Sequence, residues 1–270
     1  MLPEDILDPE RVSIVIPVLN QRELLQRTLD SIARHTPRSH EVVVVDNGSG
    51  PETREFLSGQ PVRLVINPRN RGFAAAINQG VSAAQGEVVV LANSDIEVTP
   101  GWLEELLAAL AEPQAGLAGP LTNYCAGPQK IDVDYEKSGG PDGVAEQLRQ
   151  WRRGCFREVD KLVGFLMAVT RETLDAVGPW DDRFGIGNFE DDDYCLRVRL
   201  LGLRCMMAEG AYVHHEGSAT FRGERIGYLE LMQKNREIYM QKWRSPDLAL
   251  LPSLIRRLDT QASREIRHAS

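Results

Sequence analysis

The chain of 270 residues is 42% apolar and 26% charged, an ordinary globular composition that allows one large domain or two small ones. Its formal net charge of -8 argues against a nucleic-acid partner, because phosphate backbones are bound by basic surfaces. No apolar run approaches the ~20 residues of a membrane span, and the four cysteines lack a Cys-x-x-Cys spacing. We therefore expect a cytoplasmic protein with reduced thiols and no transmembrane segment, which at most contacts the inner face of a membrane peripherally.

Apolar runs alternate with helix-like segments over the first 110 residues. Four runs have the length and composition of buried strands, at residues 12–16, 42–45, 62–66 and 87–92. Each is followed by turn residues and then by a segment with helical character. This alternation predicts an α/β fold with a mostly parallel central sheet flanked by helices.

The pattern changes after Pro120. Residues 122–157 combine Gly-Pro and Gly-Gly-Pro sequences with scattered charge, and we expect a long irregular segment of the kind that covers active sites. Regular elements are predicted beyond it: a strand at 163–169, a helix from Arg171 to Gly178, a helix that opens at Glu190, strand-like runs at 205–208 and 211–213, and an amphipathic helix at 228–243.

Polar residues follow two of the predicted strands directly. Asp46 begins the sequence Asp-Asn-Gly-Ser, and Asn93-Ser94-Asp95 ends the run at 87–92. Ligands of open α/β sheets bind at the carboxyl ends of parallel strands, and a carboxylate there can hold Mg²⁺ or Mn²⁺ beside a diphosphate. Both sequences are also good turns, which is the alternative interpretation. Two such endings on neighbouring strands favour a site for a polar, phosphorylated ligand.

Four adjacent acidic residues open a predicted helix at 190–193. One or two carboxylates in a first turn are stabilised by the helix dipole, whereas four repel each other. One hypothesis is that a carboxylate of this group takes a proton from an acceptor hydroxyl. The alternative is a solvated acidic helix start, whose charge Arg197 offsets in part.

Two histidines and one tryptophan are further candidates. His214 and His215 end a predicted strand, where an imidazole could complete the coordination of a cation on Asp95. Trp180 could stack on a sugar, although an aromatic residue beside Gly-Pro is more often packed in the core. The chain has no Gly-x-Gly-x-x-Gly or Walker A sequence, which disfavours Rossmann dehydrogenases and P-loop enzymes.

Taken in order, the motifs resemble the series found in family 2 glycosyltransferases, especially their rhamnosyltransferase-like bacterial branch. The resemblance covers residues 11–243, and it rests on Val12 to Asn20, Val45 to Ser49, Asn70 to Phe73 with Asn78, Asn93 to Asp95, and Phe189 to Arg197 with His214. It implies the GT-A fold, one domain with a nucleotide-sugar-binding half (11–120) and an acceptor-binding, catalytic half (121–220). A charged tail (244–270) would follow.

The resemblance also assigns roles to individual residues. It implies that the nucleotide sugar is bound by Pro17, Asn20, Asp46, Asn70, Asn78, Asn93, Ser94 and Asp95, with Asp46 on the base. Mn²⁺ or Mg²⁺ would be held by Asp95 and His214. Asn93 stands where the family has an aspartate, so one carboxylate of the metal motif is missing. Asp191 would be the general base beside Glu190, and Trp180 and Asp192 are weaker candidates for acceptor contacts.

The predicted function is therefore metal-assisted, inverting transfer of a sugar from a nucleoside-diphosphate sugar to a hydroxyl of a glycan, a lipid-linked or another acceptor. Two alternatives stay open. A non-catalytic nucleotide-sugar-binding module would explain the missing carboxylate. A sugar nucleotidyltransferase would share the sheet, but its Gly-rich loop is not seen after Ile16.

Overall fold

Residues 12–217 and 228–243 are described by the computed structural model of the protein. The first part of the chain alternates strands and helices, as the apolar runs predict. Its elements are β1 (Val12–Val18), α1 (Arg22–His35), β2 (Glu41–Asp46), α2 (Pro51–Ser58), β3 (Arg63–Ile66), α3 (Phe73–Ala83), β4 (Val88–Ala92), β5 (Ile96–Val98) and α4 (Trp102–Leu110).

The second part begins with a strand that crosses the predicted boundary between the two halves. Its elements are β6 (Ala115–Thr122), α5 (Tyr135–Ser138), α6 (Gly140–Arg152), β7 (Phe156–Val159), β8 (Leu166–Thr170), α7 (Arg171–Val177), a short 3-10 turn (Asp182–Phe184), α8 (Glu190–Leu200), β9 (Arg204–His215) and α9 (Tyr228–Trp243). Since β6 contains residues 120 and 121, both halves share one sheet, and their functional division stays a prediction.

Nine strands form this sheet within the described residues, in the order β3-β2-β1-β4-β8-β6-β9-β5, with β7 paired to β9. The strands β3, β2, β1 and β4 are parallel to each other. Strand β8 runs antiparallel to its neighbours β4 and β6, while β6 and β9 are parallel. The predicted α/β class is confirmed, and the parallel pairs are concentrated in the first half of the chain.

Helices cover both faces of the central strands. Every residue of β1 is buried, and Leu25 and Ile32 of α1 pack against one of its faces. On the other face, Gly80 of α3 lies so close to Val15 that a Cβ atom would overlap its side chain. With both faces buried, a polar ligand meets this sheet at the ends of its strands.

Residues 122–157 are more regular than the sequence predicts. The Gly-Gly pair at 139–140, with positive φ at both residues, precedes Pro141 at the start of α6, so these residues begin a helix and do not form a loop. Val144 and Ala145 of this helix are buried, and α6 packs on β9. The expectation of an irregular segment is wrong for the part that forms α5, α6 and β7.

Two further predictions concern the charged tail and the absence of a transmembrane segment. The charged tail at 244–270 lies outside the described residues. In the described part of the chain, no helix has both the length and the apolar character that a bilayer crossing needs.

Candidate active site

A cleft of about 570 Å³ opens at the carboxyl ends of β1, β2 and β4. One of its walls is formed by the first turn of α8 and the segment that precedes this helix. The cleft therefore lies between the two halves of the chain. Eight of the predicted site residues line it: Pro17, Asn70, Asn93, Ser94, Asp95, Glu190, Asp191 and Asp192.

The turn after β4 is fixed from two sides. Asn93 N–H donates to the carbonyl of Phe165 at 2.9 Å, and Glu216 N–H donates to the carbonyl of Asp95 at 3.0 Å. The residue Asp95 is 9% exposed, and its side chain lines the cleft. The turn therefore presents one carboxylate to the cleft from a rigid backbone.

His215 is the imidazole that lies beside Asp95. Its Nε2 is 3.4 Å from Asp95 Oδ1, and its ring stacks on Phe165 with centroids 5.2 Å apart. Nδ1 lies 2.8 Å from the carbonyl oxygen of Tyr124, which can only accept, so Nδ1 carries a proton and donates it to this carbonyl. Nε2 is buried next to the carboxylate and has no hydrogen-bond partner.

The expectation that His214 lies beside Asp95 is wrong by one residue. Successive side chains of a strand point to opposite faces, and His214 faces away from the cleft. Its Nδ1 is 2.6 Å from the hydroxyl of Tyr135, which also lies 2.6 Å from the hydroxyl of Tyr212. Burial lowers the pKa of His214, so this ring is neutral near pH 7.

Asp191 is held by two backbone amides at the edge of the cleft. Gly164 N–H donates to its Oδ2 and Asp192 N–H to its Oδ1, both at 2.9 Å. Burial raises the pKa of Asp191, and the charge of Asp192 raises it further, while the amide of Gly164 and the ammonium of Lys161 act in the opposite direction. The carboxyl is thus oriented and has a higher proton affinity than an ordinary aspartate.

Glu190 is in a different state from its neighbour. It is buried in the cleft wall, and its Oε2 has no hydrogen-bond partner. Burial raises the pKa of Glu190 well above its ordinary value, and the charge of Asp191 adds to this. Glu190 therefore binds a proton more strongly than an ordinary glutamate, and in its protonated form it can donate a hydrogen bond.

The other two acidic residues are paired with cations. Lys161 Nζ lies 2.6 Å from Asp192 Oδ1 at the cleft. Asp193 is fully buried, and it accepts from Arg197 at 3.0 Å, from Trp243 Nε1 at 2.9 Å and from Lys242 at 2.7 Å. The alternative of a solvated helix start is wrong for Asp193, which connects α8 to α9.

Asp46 and Asn20 stabilise loops and do not line the cleft. Asp46 is buried, with Oδ1 accepting from Ser49 N–H at 2.7 Å and Oδ2 from Arg54 Nε at 2.9 Å. Asn20 Oδ1 accepts from Gly50 N–H at 2.9 Å, which joins the loop after β1 to the loop after β2. The contact between Asp46 and a nucleotide base stays a prediction. In the structure, both carboxylate oxygens of Asp46 accept hydrogen bonds from protein groups.

Asn78 and Trp180 bind each other and do not line the cleft. Asn78 Nδ2 donates to the Trp180 carbonyl at 2.8 Å, and Trp180 N–H donates to Asn78 Oδ1 at 2.9 Å. The indole is buried and stacks on Tyr194 with centroids 4.5 Å apart. The expectation that Trp180 contacts an acceptor is wrong, because the core covers its ring.

Sequence reasoning missed the two lysines of the cleft. Lys130 and Lys161 line it and are the ammonium groups among its described residues. Burial lowers the pKa of Lys161, but the hydrogen bond and charge of Asp192 outweigh this and leave the pKa raised. Both lysines lie in segments without a recognisable motif. The sequence therefore indicates only that an anionic ligand requires a cation, and it does not identify which residue supplies it.

Solved structures share this architecture. The mannosyltransferase PcManGT from Pyrobaculum calidifontis, in complex with GDP-Man and Mn²⁺, superposes with a TM-score of 0.56 at 20% identity and covers 96% of this chain and 82% of its own. GalNAc-T7 with UDP, GalNAc and Mn²⁺ gives a TM-score of 0.61 at 20% identity, over 76% of this chain and 43% of its own. The chain has the GT-A fold, as the motif series predicts.

The family follows from the sequence comparisons. The model of glycosyl transferase family 2 matches residues 13–171, and the chain belongs to this family. The pre-mycofactocin glycosyltransferase of Mycobacterium tuberculosis is 34% identical over 78% of this chain and 44% of its own length. The O-antigen biosynthesis protein RfbC of Myxococcus xanthus is 29% identical over 80% of this chain and 18% of its own length. The chain thus spans less than half of these curated relatives, and the rhamnosyltransferase-like branch stays a prediction.

The different environments of Asp192 and Asp193 predict different effects on stability. Asp193→Asn should destabilise the protein by about 3–5 kcal/mol, because it removes the charge that Arg197 and Lys242 share in a buried site. Asp192→Asn breaks a partly exposed pair and should cost ~0–1 kcal/mol. Urea denaturation of both variants measures their losses of unfolding free energy. Equal losses would show that the ion pairs of Asp193 do not stabilise the contact between α8 and α9.

Proposed function

We propose that this chain is the catalytic domain of an inverting glycosyltransferase, which moves a sugar from a nucleoside-diphosphate sugar to an acceptor hydroxyl with the help of a divalent metal. One observation carries the proposal: the Asp95–His215 pair and the carboxyl of Asp191, which are distant in the sequence, line the same cleft. Family membership and the GT-A fold support sugar transfer as the reaction class.

The nucleotide end of the donor is assigned to the strand ends of the first half. Pro17, Asn47 and Asn70 line this side of the cleft, and the side chains of Asn47 and Asn70 are joined by a hydrogen bond of 2.9 Å. Lys130 and Lys161 offer positive charge to the diphosphate from the opposite wall. The related structures contain GDP-Man or UDP, which supports a nucleoside diphosphate as the donor group.

The residues beside Asp95 fit a divalent cation. The buried, unpartnered Nε2 of His215 faces a carboxylate, and the Nδ1–H bond to a carbonyl is the support that metal-binding imidazoles commonly have. Mn²⁺ tolerates a nitrogen ligand better than Mg²⁺. When bound, the ion would offset the negative charge that develops on the leaving diphosphate. The described residues contain no group of three such ligands, so the donor phosphates would be needed to complete the coordination.

Asp191 is proposed as the general base. Its two amide hydrogen bonds fix the carboxylate, and its raised proton affinity suits removal of a proton from an attacking hydroxyl. Attack on the anomeric carbon from the face opposite to the leaving group inverts its configuration. Glu190, whose pKa burial raises well above its ordinary value, is better suited to a hydrogen bond with a substrate hydroxyl than to the role of base.

The product of the reaction tests this function against the two alternatives. After a thermal-shift panel of UDP-, dTDP- and GDP-sugars with Mn²⁺ identifies the stabilising donor, the phosphate product is determined in the presence of glycan, lipid-linked and small hydroxyl acceptors. A nucleoside diphosphate with an inverted glycoside is expected. Pyrophosphate would indicate a nucleotidyltransferase, and donor binding without turnover would indicate a binding module.

Substitution of the two neighbouring acids should separate their roles. Asp191→Asn should lower kcat by ~10²- to 10⁴-fold, because a positioned base is lost, and should leave donor binding nearly intact. Glu190→Gln should cost less than about tenfold, because an amide replaces a carboxyl whose neutral form is favoured by burial. Steady-state kinetics and donor titrations measure both effects, and an active Asp191→Asn variant would remove Asp191 from the role of base.

The two histidines provide a matched pair for the metal. His215→Ala should weaken Mn²⁺ binding in the presence of nucleoside diphosphate by about 10- to 100-fold, the range typical of ligand and support losses at metal sites. His214→Ala changes the neighbouring ring on the other face of β9 and should leave this affinity unchanged. Titration of the enzyme with Mn²⁺, monitored by electron paramagnetic resonance, decides between them. Equal affinities would exclude His215 as a ligand of the metal.

The pH dependence of kcat should report the proton affinity of Asp191. The base works when deprotonated, so activity should rise with pH through a pKa that burial and Asp192 raise above the ordinary aspartate value. Asp192→Asn removes a like charge and should move this acid limb to lower pH. Lys161→Met removes a cation and should move it to higher pH. If both substitutions moved the acid limb in the same direction, or if neither moved it, Asp191 would not be the base that titrates.

A further inference from the structure

The backbone that leads into α8 has a rare conformation. Every residue of the segment 185–189 except Ile186 has positive φ, a conformation that asparagine tolerates at 188 but that disfavours the bulky side chain of Phe189. Residues 186–189 also line the cleft, directly before Glu190 and Asp191. Such a backbone keeps its shape only where its surroundings determine it.

One buried side chain of α9 binds the main chain of this segment. The amide nitrogen of Asn235 lies 2.7 Å from the carbonyl oxygens of Phe184 and Gly187 and 3.1 Å from that of Asn188. Asn235 is 1% exposed, so water cannot readily replace these bonds. The two N–H groups of one amide are thus shared among three carbonyls of the segment.

The helix that carries Asn235 is itself anchored. Lys242 lies 2.7 Å from both Asp181 and Asp193, and Trp243 Nε1 donates to Asp193 at 2.9 Å. The ring of Tyr239 packs beside that of Phe189, with centroids 5.7 Å apart. Asn235 therefore projects from an element that is fixed to α8.

The segment is also bound from the donor side of the cleft. Phe73 N–H donates to the carbonyl of Gly185 at 2.8 Å, and a Cβ atom on Gly72 would overlap that carbonyl. The main chain of 185–189 is thus held between the start of α3 and the side chain of Asn235. A shift on one side would be transmitted to the first turn of α8.

We infer that Asn235 is a positioning residue, which holds the carbonyls of residues 184, 187 and 188 and thereby fixes the place of Asp191 in the cleft. The inference rests on the function proposed above for Asp191. Asn235 does not line the cleft, so its effect passes through the main chain. A misplacement of about 1 Å can cost a reaction on the order of 10²-fold in rate, so a small shift of this wall is sufficient.

Asn235→Asp is the sharpest test, because it keeps the shape of the side chain and removes the N–H groups that face the carbonyls. Asn235→Leu has a similar volume and no polar group. Lys234→Ala, on an exposed position of the same helix, is the matched control. We expect kcat to fall by about 10- to 100-fold in both Asn235 variants, with the donor KM near that of the wild type, and no change in Lys234→Ala.

Amide hydrogen exchange distinguishes positioning from general destabilisation. Exchange in peptides that cover 184–191 should accelerate in the Asn235 variants while β1 and β4 keep their protection. The acid limb of kcat should move to lower pH, since a looser wall exposes the carboxyl of Asp191. If Asn235→Asp does not fold, Asn235→Ser, which keeps one donor, is measured in the same way.

A folded Asn235→Asp protein with wild-type protection of 184–191 and the kcat of Lys234→Ala would overturn the inference. A different outcome addresses the proposed function alone. If Asp191→Asn is fully active, Asp191 is not the base, while the exchange measurement still decides whether Asn235 holds the wall.

Discussion

A buried carboxylate needs a cation, a set of hydrogen-bond donors or a proton, and the first turn of α8 uses all three. Asp193 is neutralised by Arg197 and Lys242 in the interior. Asp191 accepts from two backbone amides, and burial favours the protonated form of Glu190 by raising its pKa. Four adjacent acidic side chains can therefore occupy one helix start, where four equal charges would repel.

This division determines what the cleft offers to a ligand. The buried carboxylate of Asp193 connects α8 to α9, and the carboxylate of Asp192, which lines the cleft, pairs with Lys161. The carboxyl groups of Asp191 and Glu190 then remain in the same cleft as the Asp95–His215 pair. Acidic residues thus lie on both sides of the cleft. The ammonium groups of Lys130 and Lys161 line the same cleft, and their positive charge allows an anionic ligand to bind there.

Much of the fold could be predicted from the sequence. The strands β1, β2 and β4 are continuous apolar runs because both of their faces are buried, and that pattern is visible without coordinates. The same pattern predicts that the turn at Asn93 to Asp95 lies at the edge of the sheet. Helix α6 was missed, since its Gly-Gly-Pro start is equally typical of a loop.

The residues of the site were less predictable where tertiary contacts decide their orientation. Pro120 pairs with Ala208 and Leu121 with Tyr212, so β9 carries extra residues opposite β6 at this point. The irregularity changes which side chains share a face, and the alternation in sequence cannot show whether His214 or His215 points to Asp95. Trp180 is buried, as the alternative interpretation of a core residue predicts, and the ring that covers it is Tyr194 of α8, a tertiary contact that the local sequence does not identify.

The short strand β5 gives the fold a further property. It follows Asp95 directly and pairs with the end of β9, with Ile96 opposite His215. The two candidate metal ligands are therefore held in register by one ladder of backbone hydrogen bonds, although they come from opposite halves of the chain. In a chimera of two related proteins, residues 93–98 and residues 204–217 must therefore come from the same parent, because these two segments pair with each other across the two halves.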